Sequence, residues 1–304
     1  MGHPPPQLSI PFPEAGESIP NTGVAQALDR IRQRREQDAI AAGLPVPSNG
    51  KPLPNHVLRS ALFGVSAKVF RREQKIASVE GVDVFISRGY RPTQAHLDVW
   101  EHCLSLAAKQ GTGKQIRFSA YAFLKAIRRN PNGGSDRKWL TEALLDLAGC
   151  IVRITDGRRT YFGPLIEGGT KDELTEEYVI EINPRLAVLF MGGNWTALDT
   201  VERAKLRRHP LAQWLHAFYS THSEPYAYKV ATLKELCGSD SEELWKFRQV
   251  LRRAIEKLAE TTGWECYIDD EDKVVVRKKS NDHARSPTGI AGRVKTSKLS
   301  TDRQ

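Results

Sequence analysis

Lys246, Gln249, Arg253 and Lys257 follow one another at intervals of three or four residues, so on a helix they share one face. The opposite stripe is apolar: Leu244, Phe247, Leu251, Ala254, Ile255 and Leu258. Trp245, Arg248 and Arg252 fall on one flank. The chemistry these side chains offer is hydrogen bonding and charge neutralisation, without bond making. Arg or Lys reads guanine, Gln adenine and Glu cytosine, and each cation can neutralise a phosphate. If the helix enters a major groove by its N-terminal end, Ser241, Glu242, Trp245, Lys246 and Gln249 lie nearest the base edges. Arg252, Arg253 and Lys257 then lie closer to phosphate, and Arg277 follows on the strand "KVVVRKK". An ordinary solvated face is the other reading of the same helix, since Glu256 and Glu260 share it.

Other reactive residue types do not assemble. His102-Cys103 has no further ligands at metal-site spacing. Gly111-Thr112-Gly113-Lys114 lacks the full frame of a phosphate-binding loop and reads as a connection between helix and strand. A DNA nickase would need a His-hydrophobic-His pair beside its tyrosine. Tyr219 and Tyr226 have none, and His216 and His222 stand among aromatics as structural residues. Asp269-Asp270-Glu271-Asp272 crowd one hairpin turn, which gives poor metal geometry. They are read as a solvated turn or a protein-contact site. No nucleophile–base pair stands out, so no enzyme, metal or cofactor is expected.

The elements that must position the helix follow from local signals. The 304 residues suggest two domains, and the formal net charge of +9 favours a polyanionic partner. Four scattered cysteines without C-x-x-C pairs read as reduced thiols, and no apolar run spans a membrane, so a cytoplasmic protein is expected. Residues 1–55 are proline-rich and read as a disordered arm, with one weak helix at 24–41; residues 281–304 read as a disordered basic tail. Between them one element order occurs twice: helix, short strand, helix, turn, helix, hairpin. In the first copy Thr93, Ser119 and Ser135 are helix caps and "IVRIT-DGRR-TYFGPLI" is the hairpin. In the second, Pro210 opens a helix, Thr232 and Ser239 begin capping boxes, and the long helix runs from Ser241 to about Thr261, closed by Gly263. The fold class is therefore α+β, two tandem winged helix-turn-helix domains at 56–200 and 201–280. In the first, Arg137 and Lys138 are the cations near the start of the equivalent helix, offset by Asp136, Glu142 and Asp146, so a secondary DNA contact is expected there.

Three stretches, "LRSALFG" (58–64), "RLAVLFMGGNWTALD" (185–199) and above all "FYSTHSEPYAYKVATLKELCGSDS" (218–241), resemble the TrfA-type family of plasmid replication initiators. The resemblance covers roughly 54–278. It implies two winged helices that bind repeated origin sites, called iterons, as double-stranded DNA. It also implies a homodimer, in exchange with monomer, formed through the first domain, and recruitment of host initiator, helicase and sliding-clamp proteins. The recognition-helix positions run from Ser239 to Lys257; the residues after Ser241 diverge, so no operator sequence carries over. Such initiators can dock on the clamp through a Gln-Leu-x-Leu-Phe-like peptide. Gln7, Leu8, Ile10 and Phe12 of the arm resemble its six-residue form, with Ile10 for Leu and an inserted Pro11. The alternative function is a transcriptional repressor that uses both winged helices and leaves the origin closed.

Overall fold

The computed structural model describes residues 44–67, 69–110 and 115–278. The docking peptide at Gln7, Leu8, Ile10 and Phe12, the helix expected at 24–41, the loop 111–114 and the tail 281–304 lie outside the described residues. The chain begins with β1 (Lys51–Pro54), α1 (Asn55–Leu58), β2 (Phe70–Ile76), β3 (Asp83–Tyr90) and α2 (Gln94–Gln110). Next come β4 (Gln115–Ser119), α3 (Ala120–Ala126), α4 (Gly134–Gly149), β5 (Ile151–Thr155), β6 (Thr160–Pro164), β7 (Gly168–Lys171) and β8 (Glu177–Glu181). A 3-10 stretch (Pro184–Gly193) leads to β9 (Trp195–Leu198) and α5 (Thr200–Lys205). The last part is α6 (Pro210–Ser220), β10 (Tyr228–Lys229), α7 (Val230–Leu236), α8 (Leu244–Thr262), β11 (Glu265–Ile268) and β12 (Lys273–Arg277).

Two apolar cores divide this chain. One gathers side chains from Leu53 to Leu198, with Ala217; the other gathers Leu206 to Val276. Each is built around a winged helix-turn-helix. In the second, β10 pairs with β12 and β12 with β11, so the hairpin after α8 is the wing. In the first, β4 pairs with β8 and β8 with β7, which makes β7–β8 the wing. The hairpin expected in that role, β5–β6, instead extends β2 and β3 into a four-stranded sheet of order β2-β3-β5-β6. The physical reason is visible in the burial patterns. β5 alternates buried and solvent-facing residues, a strong strand signal, whereas β7 reads Gly-Gly-Thr-Lys with no buried residue and is silent to periodicity. The charged edge strand β2 escapes for the same reason.

The first domain also includes residues before position 56. β1 pairs antiparallel with β9, and Leu53 is fully buried. Pro52 and Pro54 hide this strand from a sequence reading. With period two, their missing donors fall on one edge, and Lys51 and Leu53 are left to face β9. Among the caps, the Thr93 N–H donates to His96 Nδ1 at 3.1 Å, with His where a capping box has Glu, and Ser119 Oγ accepts from the Ala122 N–H at 3.2 Å. Two expected caps move. α4 starts at Gly134 with Gly133, not Ser135, as its cap, and α7 starts at Val230, ahead of Thr232.

Three arginines join the two cores. Arg203, 2% exposed, donates from Nε to Asp98 Oδ1 at 2.6 Å and from its terminal nitrogens to the carbonyls of Gln94 (3.0 Å) and Gln213 (3.3 Å). Arg59 donates to Thr221 Oγ1 at 2.7 Å, and Arg91 to the Gly238 carbonyl at 3.0 Å. Close to Arg203 lies Glu101, also 2% exposed, with Lys51 Nζ and Arg203 Nε each at 3.8 Å. Burial raises the Glu101 carboxyl to about 7 against the partial offset from Lys51 and Arg203. Below pH 4.5 both folded and unfolded chains hold this proton. Between 4.5 and 7 only the folded chain does, and above 7 the fold carries the full cost of a buried charge. Stability is therefore lost as pH rises through this window. Glu101→Gln should be more stable than wild type at pH 8, and its advantage there should exceed that at pH 4.5 by about 3 kcal/mol. Urea unfolding of both proteins at the two pH values checks this; equal differences at both would refute the assignment.

Candidate nucleic-acid interface

The helix-turn-helix of the second domain is α7, a short turn and α8. α7 ends in a left-handed turn: Gly238 has φ +66, the Gly238 N–H donates to Glu235 O at 2.9 Å and the Ser239 N–H to Lys234 O at 3.1 Å. The left-handed dihedral favours glycine, and a Cβ at 238 would lie 2.8 Å from Arg91 Nη1 and 3.1 Å from Ala61 Cβ. The following turn is held by the first domain. The Asp240 N–H donates to Ser66 Oγ at 2.8 Å, the Val65 N–H to Cys237 O at 3.0 Å, and Arg91 lies 3.6 Å from the Asp240 carboxylate.

The long helix starts only after these contacts. α8 begins at Leu244, with Glu243 as cap and no side-chain cap bond. The expected capping box of Ser239 and Glu242 is not made; Ser239 Oγ accepts from the Ser241 N–H at 3.3 Å within the turn. Ser239, Ser241 and Glu242 thus precede the helix. At the other end Gly263 closes it at φ +69, as its sequence position suggested.

Along α8 the apolar stripe is buried: Phe247, Leu251, Ala254, Ile255 and Leu258. Lys246, Gln249, Arg252 and Arg253 are exposed, and Trp245 is 51% exposed with Lys246 Nζ 5.5 Å from its ring centre. Lys257 is half-buried and paired with Glu260 at 3.1 Å. The helix thus presents ammonium, guanidinium, amide and indole groups to solvent on the side away from its core.

Each flank has a different partner. On one side Arg248 donates both arms to Asp272 of the wing turn, at 2.9 and 2.8 Å. That bond raises the Arg248 guanidinium and holds the Asp272 carboxyl below its ordinary range. The acidic turn is therefore more than a solvated one: it latches the wing to the helix. Arg248 and Arg252 share a cleft of about 440 Å³ with Asp269, Asp270 and Asp272. On the other side a cleft of about 420 Å³ lies between α8 and the start of α6. It is lined by apolar Leu211, Phe247 and Val250 and by Arg208, His209 and Arg253. Arg208 and His209 were missed by the helix-face reading. The basic run Arg207-Arg208-His209 immediately before Pro210 was the available signal.

The first domain repeats the latch. Arg137 forms an ion pair with Glu176 of the β7–β8 turn. Glu176 and Asp272 each precede the second wing strand, with φ 56 and 60. Their carbonyls accept the first N–H of α3 (Ala120, 3.0 Å) and of α7 (Val230, 2.9 Å). Arg137 is thereby committed to its wing, while Lys138 is exposed. Arg277 pairs across the hairpin with Glu265 at 3.3 Å, at the end remote from the turn.

Residues 27–278 match the family described as TrfA protein. A plasmid replication initiator protein TrfA from Escherichia coli is 28% identical over 229 residues, which cover 70% of this chain and 58% of the relative's length. Among solved structures, domains 2 and 3 of RctB align over 76% of this chain and 99% of theirs, at 12% identity and a TM-score of 0.47. The Pi initiator protein, solved in complex with iteron DNA, aligns over 61% and 95% at 12% identity and a TM-score of 0.44. The family match runs through both winged helices and stops where β12 does, and the chain belongs to the TrfA protein family.

Proposed function

We propose that this chain is a plasmid replication initiator. It binds iterons of a plasmid origin as double-stranded DNA, helps to open the origin and recruits host replication proteins. The observation that carries the reading is the outward face of α8, where Lys246, Gln249, Arg252 and Arg253 stand exposed on the second helix of a helix-turn-helix. Family membership supplies the substrate class. Lys246 and Gln249, near the N-terminal end, are the base readers; Arg253 and, across the cleft, Arg208 are phosphate contacts. Arg248 and Arg137 are positioning residues that hold each wing against its helix. The role requires no bond-making step, and ATP-driven work falls to partner proteins.

Two kinds of variant separate the roles. Arg253→Ala should weaken specific and random duplex alike and lower the salt slope by about 0.9, one phosphate's worth. Lys246→Ala or Gln249→Ala should relax sequence preference at about 1–3 kcal/mol per lost base contact. Footprints and salt titrations on the parent origin measure both; wild-type binding in all three variants would remove α8 as the reader. On the same origin an initiator exposes an A·T-rich segment to a single-strand probe, whereas a repressor leaves it closed.

Self-association is assigned to the first domain, whose strand β2 leaves a sheet edge open among the described residues. Sedimentation should find monomer and dimer of the whole chain in exchange, and a fragment of residues 201–280, which holds nearly all of the second core, as monomer. Dimerisation of that fragment as tight as that of the whole chain would overturn the assignment.

The arm is assigned to the sliding clamp through Gln7, Leu8, Ile10 and Phe12. A labelled peptide of this stretch should bind purified clamp with a Kd near micromolar, about −8 kcal/mol. Phe12→Ala should abolish that binding and leave origin footprints intact. The absence of saturable binding up to about 1 mM clamp, the −4 kcal/mol level, would dismiss the peptide.

A further inference from the structure

The two clefts beside α8 differ in how their charges are met. Under the wing, Arg248 and Arg252 share the space with Asp269, Asp270 and Asp272, and Arg248 is already paired. Beside α6, Arg208, His209 and Arg253 line a space of about 420 Å³, and among the described residues no acidic side chain lines it or pairs with them. All three are exposed. The apolar part comes from both helices. Phe247, Val250 and Ala254 recur at helical spacing on α8 and line the cleft with Leu211 of α6. Phe247, Ala254 and Leu211 are core residues, but Val250 is 55% exposed and carries the apolar lining beyond the core.

Arg208 is held in this cleft against strain. Its φ of 75 lies in the left-handed region, where so large a side chain is uncommon. The turn around it is fixed on both sides: Arg207 donates to the Arg128 carbonyl of the first domain, and the His209 N–H donates to Leu206 O at 2.9 Å. Strained backbone of this kind gathers at ligand sites. Simpler ligands leave part of the cleft unused. An inorganic anion pairs with the guanidinium groups and gains nothing from Leu211, Phe247 and Val250. A neutral apolar molecule covers the lining and leaves two guanidinium groups without an acceptor. An amphipathic anion satisfies both, and the volume falls within the roughly 300–1,000 Å³ of small-molecule sites. The guanidinium fork suits the paired oxygens of a carboxylate or a phosphate.

We propose that the cleft between α8 and α6 binds a small amphipathic anion, its apolar body against Leu211, Phe247 and Val250 and its carboxylate or phosphate against Arg208 and Arg253. As phosphate contacts, the same two arginines cannot serve duplex and ligand together, so the ligand opposes DNA binding. The proposal rests on the initiator reading for that competition alone, since the site itself needs no DNA. Val65 and Ser66 of the first domain complete the lining, so the full chain is the protein to test.

Fluorescence titration with anilinonaphthalene sulfonate, an aromatic anion, tests the site in the absence of DNA. The probe should bind saturably, and octanoate or octyl phosphate should displace it, the tighter of the two identifying the oxyanion. Octanol or inorganic phosphate at the same concentration should not. Arg208→Gly should weaken the probe about tenfold, one charged hydrogen bond's worth, and raise the melting temperature by relieving the dihedral. Val250→Glu sets a carboxylate into the cleft at an exposed position and should weaken it by a similar factor. Lack of saturable binding by the unsubstituted chain, or wild-type affinity in both variants, overturns the proposal. Displacement by octanol as strong as by octanoate would leave only an apolar surface, and displacement by inorganic phosphate only an anion site; either overturns it. On the origin duplex, saturating octanoate should weaken binding several-fold, and unchanged affinity would overturn the competition. A chain that binds the probe and no duplex would refute the initiator reading and leave the site standing, so the two fail separately.

Discussion

A guanidinium without water must be surrounded by acceptors, and Arg203 finds its acceptors in two domains at once. Gln94 and Asp98 belong to α2 of the first domain, and the Gln213 carbonyl belongs to α6 of the second. The planar fork of arginine makes such a site directional, which a hydrophobic contact of the same area is not. Truncating one partner of so buried a pair typically costs about 3–5 kcal/mol, so the geometry is strongly enforced. Arg59 and Arg91 add two further bonds between the cores. These three side chains tie α6, its C-terminal end and the turn after α7 to the first domain.

The net charge of +9 is unevenly spent. The wing of the second domain carries carboxylates where a DNA-contacting wing would carry cations, and Asp272 occupies Arg248. Approach of a polyanion is thereby favoured over the exposed face of α8 and the Arg208 side, away from the hairpin tip. In the first domain Arg129, in the turn before α4, is held by Asp136 and Arg137 of α4 by Glu176, while Lys138 stays exposed. Further exposed cations, Arg72, Lys75, Arg88 and Arg153, lie on the four-stranded sheet.

The two domains share little in letters but repeat the same hydrogen bonds. In each, a residue in the left-handed region ends the wing turn, gives its carbonyl to the first N–H of the second helix and its carboxylate to an arginine of the third. The wing turn, the middle helix and the third helix meet at that one residue. Asp172 and Asp269 open the two turns by accepting backbone N–H groups, which leaves the closing residue little freedom.

What the sequence by itself determined was local. The apolar stripe of α8, its stop at Gly263, the start of α6 at Pro210 and the repeated element order are written within one or two turns of chain, where periodicity and caps act. The outward positions of Lys246, Gln249, Arg252 and Arg253 follow from that stripe alone. Only the tertiary structure decided which hairpin is the first wing, where α8 begins and which arginines are already engaged. Arg137 meets Glu176 across 39 residues, Arg248 meets Asp272 across 24 and Arg91 meets Gly238 across 147. β7 and β2 carry no alternation of their own, because an edge strand owes its place to the partner it pairs with. A helix face is set by the turn beneath it, but an ion pair or a sheet edge is set by whatever the folded chain brings alongside, and no local pattern encodes that neighbour.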